Sequence, residues 1–218
     1  MAVVGASAAL FAVLTLLVGL RWGPMESVDR GLATTLNRLV GGHPPLVRVL
    51  TVVTGLGSTG CLVGVVVLAT ALLVVRRSYR LAGYLLASGV GALVLGSGFK
   101  LAVGRHRPVL AEPLATATGY SFPSGHALYS TVVYGALLLV FVPDLPRLAR
   151  RLVTGVVALL VVAIGFTRLA LGVHFLSDVI GAWCLGVAWL GVIGYAFAAA
   201  GGAVTTERRP GPVHWTRP

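Results

Sequence analysis

Six apolar runs, at roughly Val3–Leu20, Leu56–Val75, Leu81–Phe99, Ala127–Val142, Leu152–Leu171 and Val179–Ala200, leave this 218-residue chain few ways to fold. Each approaches the ~20 residues that a helix needs to cross ~30 Å of hydrocarbon. With 57% of its residues hydrophobic and 11% charged, the chain is outside the range of soluble globular proteins. The expected fold is all-α and polytopic: six transmembrane helices in one domain over residues 1–206, followed by a cytoplasmic tail at 207–218. Pro210, Pro212 and Pro218 disfavour independent folding of that tail.

The first run has the length of a signal peptide. It lacks a basic leader, and the Leu20-Arg21-Trp22-Gly23-Pro24 that follows is a poor cleavage site, so a membrane helix is expected. Between this run and the second, Val28, Leu32, Leu36, Leu39 and Val40 recur at helical spacing. Ser27 or Asp29 is available as a cap, which predicts a short amphipathic helix at the membrane interface; a solvated loop is the competing reading. Cys61 and Cys184 both fall inside apolar runs and read as small hydrophobes rather than a disulfide. Trp22 and Trp215 suit an interfacial belt, while Trp183 and Trp189 lie within a span.

The formal charge of +11 comes from arginines scattered over short connections, a pattern that fits anionic lipid headgroups and not nucleic acid. Nine basic residues fall on the side of the termini and eight on the other, and four of the eight sit in polar islands described next. Discounting those four, the positive-inside rule puts both termini in the cytoplasm of a multi-pass cell-membrane protein.

Three polar islands interrupt the second half of the chain: Lys100 to Pro108, Phe122 to His126 and Thr167 to Asp178. Lys100 is the only lysine present, at the end of an apolar run where an idle charge is costly. In a six-span topology all three islands emerge on one face, the extracytoplasmic one. They would gather Lys100, Arg107 and Arg168 as phosphate-binding cations, Ser124 and Gly125 as neutral donors, and His126, His174 and Asp178 as catalytic groups. Arg105 and His106 are candidate headgroup contacts, a solvated loop being an equal alternative.

Phosphoryl transfer needs a nucleophile in line with the leaving oxygen, a proton donor to that oxygen, and positive charge around the equatorial oxygens. His174, four residues before Asp178, would have its tautomer fixed by that carboxylate and attack phosphorus; His126 would protonate the leaving group. A structural ion pair for His174 with Asp178, and a capping role for Ser124 and His126, are the bland alternatives. No metal or other cofactor is demanded: the histidines lack metal-ligand spacing, and a di-metal site asks for more carboxylates than six acidic residues spread along the chain supply.

Lys100 with Arg107-Pro108, then Pro123-Ser124-Gly125-His126, then Arg168 with His174 and Asp178, resembles the three-part signature of the type 2 phosphatidic acid phosphatase superfamily, including its phosphatidylglycerophosphate phosphatase B-like membrane members. Thr167 stands where serine is commoner and keeps the hydroxyl. The resemblance implies a six-helix core and a metal-independent lipid phosphatase acting at the outer surface. It also implies phosphate binding by Lys100, Arg107 and Arg168, general acid catalysis by His126, and a His174 nucleophile oriented by Asp178.

The expected activity is hydrolysis of a lipid phosphate or pyrophosphate through a phosphohistidine. Polyprenyl pyrophosphate, phosphatidylglycerophosphate, phosphatidic acid and diacylglycerol pyrophosphate all fit. A polytopic anion-binding or transport protein without hydrolase activity is the alternative, and a vanadate-dependent haloperoxidase is disfavoured by the membrane composition. Glycine-rich spans suit packing within or between subunits, which leaves the oligomeric state open.

Overall fold

The computed structural model describes residues 1–201, so the expected tail at 207–218 and the end of the expected domain lie outside the described residues. Eight helices make up the described chain: α1 Ala2–Gly19, α2 Gly23–Gly41, α3 Pro44–Gly55, α4 Thr59–Val75, α5 Tyr79–Val103, α6 Gly125–Phe141, α7 Arg147–Ala170 and α8 Leu176–Ala199. Their ends fall where the local chemistry stops a helix. Pro24 and Pro44 sit in the first turns of α2 and α3, where a missing N–H costs nothing. Ser58 Oγ accepts from Cys61 N to start α4. Gly104, at φ 62°, closes α5 in the left-handed conformation that glycine adopts without strain, and its N–H returns to Lys100 O.

The burial pattern is inverted relative to a soluble protein. Val3, Leu68, Val94 and Leu159 are exposed, whereas Asp29, Arg168, His174 and Asp178 are buried. An apolar exterior around a polar interior is what a lipid solvent selects, and the protein is a multi-spanning membrane protein. Among the described residues, α1, the joined stretch Pro44–Val75, α5, α7 and α8 are each long and apolar enough to cross a bilayer, and α6 is an apolar helix of 17 residues.

Helices α6 and α8 form the centre. α8 packs on α1, α5 and α6, and α6 also packs on α4, α5 and α7. One apolar cluster joins Phe11, Phe122, Leu128, Val132 and Leu185; Phe11 meets Phe99 edge-on at 4.7 Å between centroids and stacks on Phe122 at 5.9 Å. Trp189 donates to Ser88 O at 3.0 Å, and both cysteines are free.

Several boundaries differ from the sequence expectation. The segment between the first two apolar runs is two helices, because Gly41, Gly42 and the Pro44-Pro45 pair break one helical pattern without ending helicity. Neither Ser27 nor Asp29 caps α2: Ser27 Oγ donates to Gly23 O, and Asp29 lies nearly two turns inside the helix. The buried face of α2 runs Asp29, Ala33, Asn37 and Val40, leaving Val28 and Leu39 outside. The third run continues past Phe99 to Val103 and so takes Lys100 into the last turn of α5. The fifth begins at Arg147, carrying Arg150 and Arg151 in its first turns and not in the preceding connection.

Close approach at the centre depends on glycine. A Cβ added to Gly165 would lie 2.8 Å from Val179 Cγ1, and one on Gly186 would lie 2.8 Å from Thr131 Cγ2, whereas Gly194 has open space. Gly165→Leu and Gly186→Leu should each lower the melting midpoint of detergent-solubilised protein, reflecting about 1–3 kcal/mol of overpacking. Gly194→Ala should leave it unchanged, and equal midpoints for all three would contradict the packing described.

Candidate active site

The end of α5, the connection from Gly104 to Ser124, the start of α6, the end of α7 and the start of α8 meet at one end of the bundle. The backbone ties the islands together before any side chain does. Ser124 N donates to Asp178 O at 3.1 Å, joining the second island to the third. Val173 N and His174 N both donate to Arg168 O at 3.2 Å, folding the third island back on the end of α7 around Gly172 at φ 74°. Ser121 N donates to Arg105 O at 2.8 Å, closing the first island against the second.

Helix α8 starts at Leu176, so His174 precedes the helix and Asp178 occupies its third position. Asp178 therefore reaches backward: Oδ2 accepts from Phe175 N at 2.9 Å and from His174 Nδ1 at 3.3 Å. This carboxylate is fully buried at a helix N-terminus, where the backbone N–H groups favour a negative charge. Arg107 Nη1 donates to His174 Nε2 at 3.1 Å, so Nε2 is the acceptor and Nδ1 carries the proton toward Asp178. Burial pushes the His174 pKa down to about 4 despite the opposing pull of Asp178, which keeps the imidazole neutral, its Nε2 lone pair held by Arg107. Burial also lowers the pKa of Arg107, against the opposing Asp178 charge.

The cations divide by what they touch. Arg107 donates to the carbonyls of Gly119, Val173, Thr118 and Tyr120 as well as to His174, which fixes its plane beside the imidazole. Arg168 Nη1 donates to Thr54 Oγ1 of α3 at 2.9 Å, while its Nε is buried without a partner. Ser124 Oγ is likewise buried and unpartnered, because this N-cap side chain makes no capping bond. Two orphaned donors in one site fit an anion that would satisfy them. Lys100 Nζ lies 3.8 Å from where a Cβ on Gly125 would stand, and His126 lies within electrostatic range of Arg168, His174, Lys100 and Arg107. Lys100, Arg107, Ser124, Gly125, His126, Arg168, His174 and Asp178 are thus brought together.

Arg105 is placed differently from a headgroup contact. Its Nη1 donates to Asp178 Oδ1 at 2.7 Å and Ser177 Oγ at 2.6 Å, its Nη2 donates to Asp29 Oδ2 at 2.8 Å, and its guanidinium lies 4.2 Å from the Phe175 ring centroid. His106 packs edge-on to Tyr120 and, with Arg105 and Arg107, lines a cavity of about 570 Å³ bounded also by Arg21, Glu26 and Arg30. The cavity adjoins the Arg107 side of the site, and His126, Arg168 and Ser124 do not line it.

Sequence reasoning missed three of these contacts. The sequence reading assigns no role to Thr54 or Ser177 and offers Asp29 only as one of two available caps. The available signal for Asp29 was its position, a carboxylate at helical spacing from Ala33, Leu36 and Val40 on the inward side of α2.

The chain is similar to known proteins of one family. Residues 79–201 match the PAP2 superfamily. Phosphatidylglycerophosphatase B of Bacillus subtilis is 34% identical over 151 residues, covering 66% of this chain and 72% of that one. The undecaprenyl-diphosphatase of Sulfolobus acidocaldarius is 32% identical over 137 residues, 60% of this chain and 61% of its own. The crystal structure of the transmembrane PAP2-type phosphatidylglycerolphosphate phosphatase from Bacillus subtilis superposes with a TM-score of 0.82 at 25% identity, covering 92% of this chain and 98% of that one. The islands, their convergence and these matches together establish that the chain belongs to the PAP2 superfamily and is a membrane-spanning phosphatase of that family.

Proposed function

We propose that this phosphatase hydrolyses amphiphilic phosphomonoesters or diphosphates at the extracytoplasmic surface of the cell membrane through a phosphohistidine intermediate. The observation that carries this reading is the His174 imidazole, held at Nδ1 by Asp178 and faced at Nε2 by Arg107 Nη1. Once Arg107 Nη1 turns from Nε2 to a phosphoryl oxygen, the freed Nε2 lone pair attacks phosphorus as the bond to the leaving oxygen breaks, and protonated His126 gives its proton to that oxygen. Lys100, Arg107 and Arg168 neutralise the equatorial oxygens, with Ser124 and the Ser124 and Gly125 N–H groups as neutral donors. Water, deprotonated by His126, then cleaves the phosphorus–nitrogen bond and restores both imidazoles. Asp178 holds the Nδ1 proton throughout and offsets the positive charge on His174.

In this reading α1 and α4 to α8 make six crossings; the 17 residues of α6 are at the lower limit for a span. Helix α2 lies at the interface with Val28 and Leu39 turned toward lipid. The clustered Arg76, Arg77, Arg80, Arg147, Arg150 and Arg151 favour a cytoplasmic end opposite the site, with both termini on that side. The substrate tail enters laterally between helices.

The names of the relatives favour phosphatidylglycerophosphate and a polyprenyl diphosphate as first substrates, with phosphatidic acid and diacylglycerol pyrophosphate as further members of the class. Membership of a phosphatase family sets aside the reading as a transporter without hydrolase activity.

Purified protein in detergent with excess chelator should release phosphate from at least one of these four lipids, and faster than from glycerol 3-phosphate. Silence toward all four would sink the reading. His174→Ala should abolish turnover and the acid-labile phosphoenzyme trapped by rapid quench; retention of either would remove His174 as nucleophile. Asp178→Asn should lower kcat by ~10²–10⁴-fold as the imidazole loses its orientation. Lys100→Ala should weaken kcat/KM by ~10-fold or more through loss of a charged contact to the phosphoryl group, and unchanged kinetics would take it out of the site.

A further inference from the structure

Asp29 belongs to α2, outside residues 79–201 that match the family, yet its carboxylate is 2% exposed and points into the active site's supporting network. Oδ1 accepts from Ser177 N at 3.0 Å; Oδ2 accepts from Ser177 Oγ at 2.5 Å and from Arg105 Nη2 at 2.8 Å. Arg105 turns its other terminal nitrogen to Asp178 Oδ1 at 2.7 Å and to Ser177 Oγ. One guanidinium thus bridges two buried carboxylates, one on α2 and one on α8, with Phe175 under its plane.

The consequence concerns rotation of the Asp178 carboxylate. Its Oδ2 holds Phe175 N and His174 Nδ1, and its Oδ1 is held by Arg105 alone among side chains. A guanidinium fork fixes a carboxylate plane only if the fork is itself fixed. Asp29 supplies that restraint from one side and the Phe175 ring from below. Ser177 adds a second path, since its backbone and hydroxyl tie the first turn of α8 to the same Asp29 carboxylate.

We propose that Asp29 is a positioning residue for phosphoryl transfer, acting through Arg105 and Ser177 on Asp178 and thereby setting the direction of His174 Nε2. The proposal rests on the reading of His174 as nucleophile. In this arrangement Arg105 is an internal strut, and headgroup binding falls to other groups.

Asp29→Asn keeps the size of the side chain and an acceptor oxygen while removing the charge that fixes Arg105. It should lower kcat by ~10–100-fold, the scale of a misdirected reacting group, while KM changes less than ~3-fold because the phosphate-binding cations are untouched. A staple that merely holds α2 in place would instead lower the folded fraction without changing kcat per folded molecule. Arg105→Gln should lower kcat comparably, and Asp29→Asn added to Arg105→Gln should cost less than ~3-fold more, since residues acting along one chain of contacts are not additive. Each variant is read by turnover of the lipid phosphate found active, by detergent melting and by orthovanadate inhibition as a count of intact sites. Should Asp29→Asn not accumulate, Ser177→Ala is read the same way, with ~3–10-fold loss in kcat at constant KM expected. Unchanged kcat in the variant read, or multiplicative losses in the double variant, would overturn the proposal. His174→Ala run in parallel separates the two readings: activity surviving there defeats the nucleophile assignment, whereas its loss beside a fully active Asp29→Asn defeats only the role given to Asp29.

Discussion

Everything at the active end of this bundle depends on a carboxylate that membrane burial should make prohibitive. Asp178 is inaccessible to solvent, and an isolated buried charge costs several kcal/mol or more. It is tolerated because both oxygens are satisfied, by Phe175 N and His174 Nδ1 on one and Arg105 on the other, at a helix start whose N–H groups favour negative charge. Those partners come from two segments of the chain, and Asp178 itself from a third. Satisfying one carboxylate therefore fixes how α8, the connection after α5 and the connection after α7 meet.

Satisfying Asp178 also dictates where α8 begins. Had the helix started earlier, His174 and Asp178 would face the same way a turn apart and the imidazole would ride on the helix surface. With the start at Leu176, Asp178 turns back on the residues before it and caps Phe175 N while holding the imidazole outside the helix. Arg168 O, at the end of α7, then receives both Val173 N and His174 N. The nucleophile candidate is thereby set by backbone hydrogen bonds as well as by its own side chain, which is the kind of preorganisation that catalysis rewards.

Much of this was legible in the sequence because hydrophobic length and motif spacing are local properties. The apolar runs found α1 and α4 to α8 to within a few residues, and the grouping of Lys100, Arg107, Ser124, His126, Arg168, His174 and Asp178 followed from counting crossings. What escaped was set by contacts distant in sequence. Helix α3 was lost because Pro44-Pro45 reads equally as a turn and as the first turn of a helix. Asp29 was misread because a carboxylate near a helix start is ordinarily a cap, and only its partners Arg105 and Ser177, far along the chain, reveal otherwise. Arg105 reads in sequence as a headgroup contact or part of a solvated loop, because the two carboxylates that hold it lie far along the chain.

The charge arrangement explains why such a network persists where apolar packing would be at least as stable. A buried ion pair contributes little net stability, although removing one partner costs about 3–5 kcal/mol. Stability alone therefore gives no reason to keep Asp29, Arg105 and Asp178 together. In the proposed reading the network, besides positioning Asp178, sorts charge: Arg105 is spent on Asp29 and Asp178, which leaves Lys100, Arg107 and Arg168 as the cations for the phosphate. Lys100, Arg105, Arg107 and Arg168 against Asp29 and Asp178 leave two positive charges before His126 takes up the proton it is proposed to donate, a surplus that suits a phosphate anion. The unpartnered Ser124 Oγ and Arg168 Nε then read as donors held in reserve by the fold for an anion that arrives from outside.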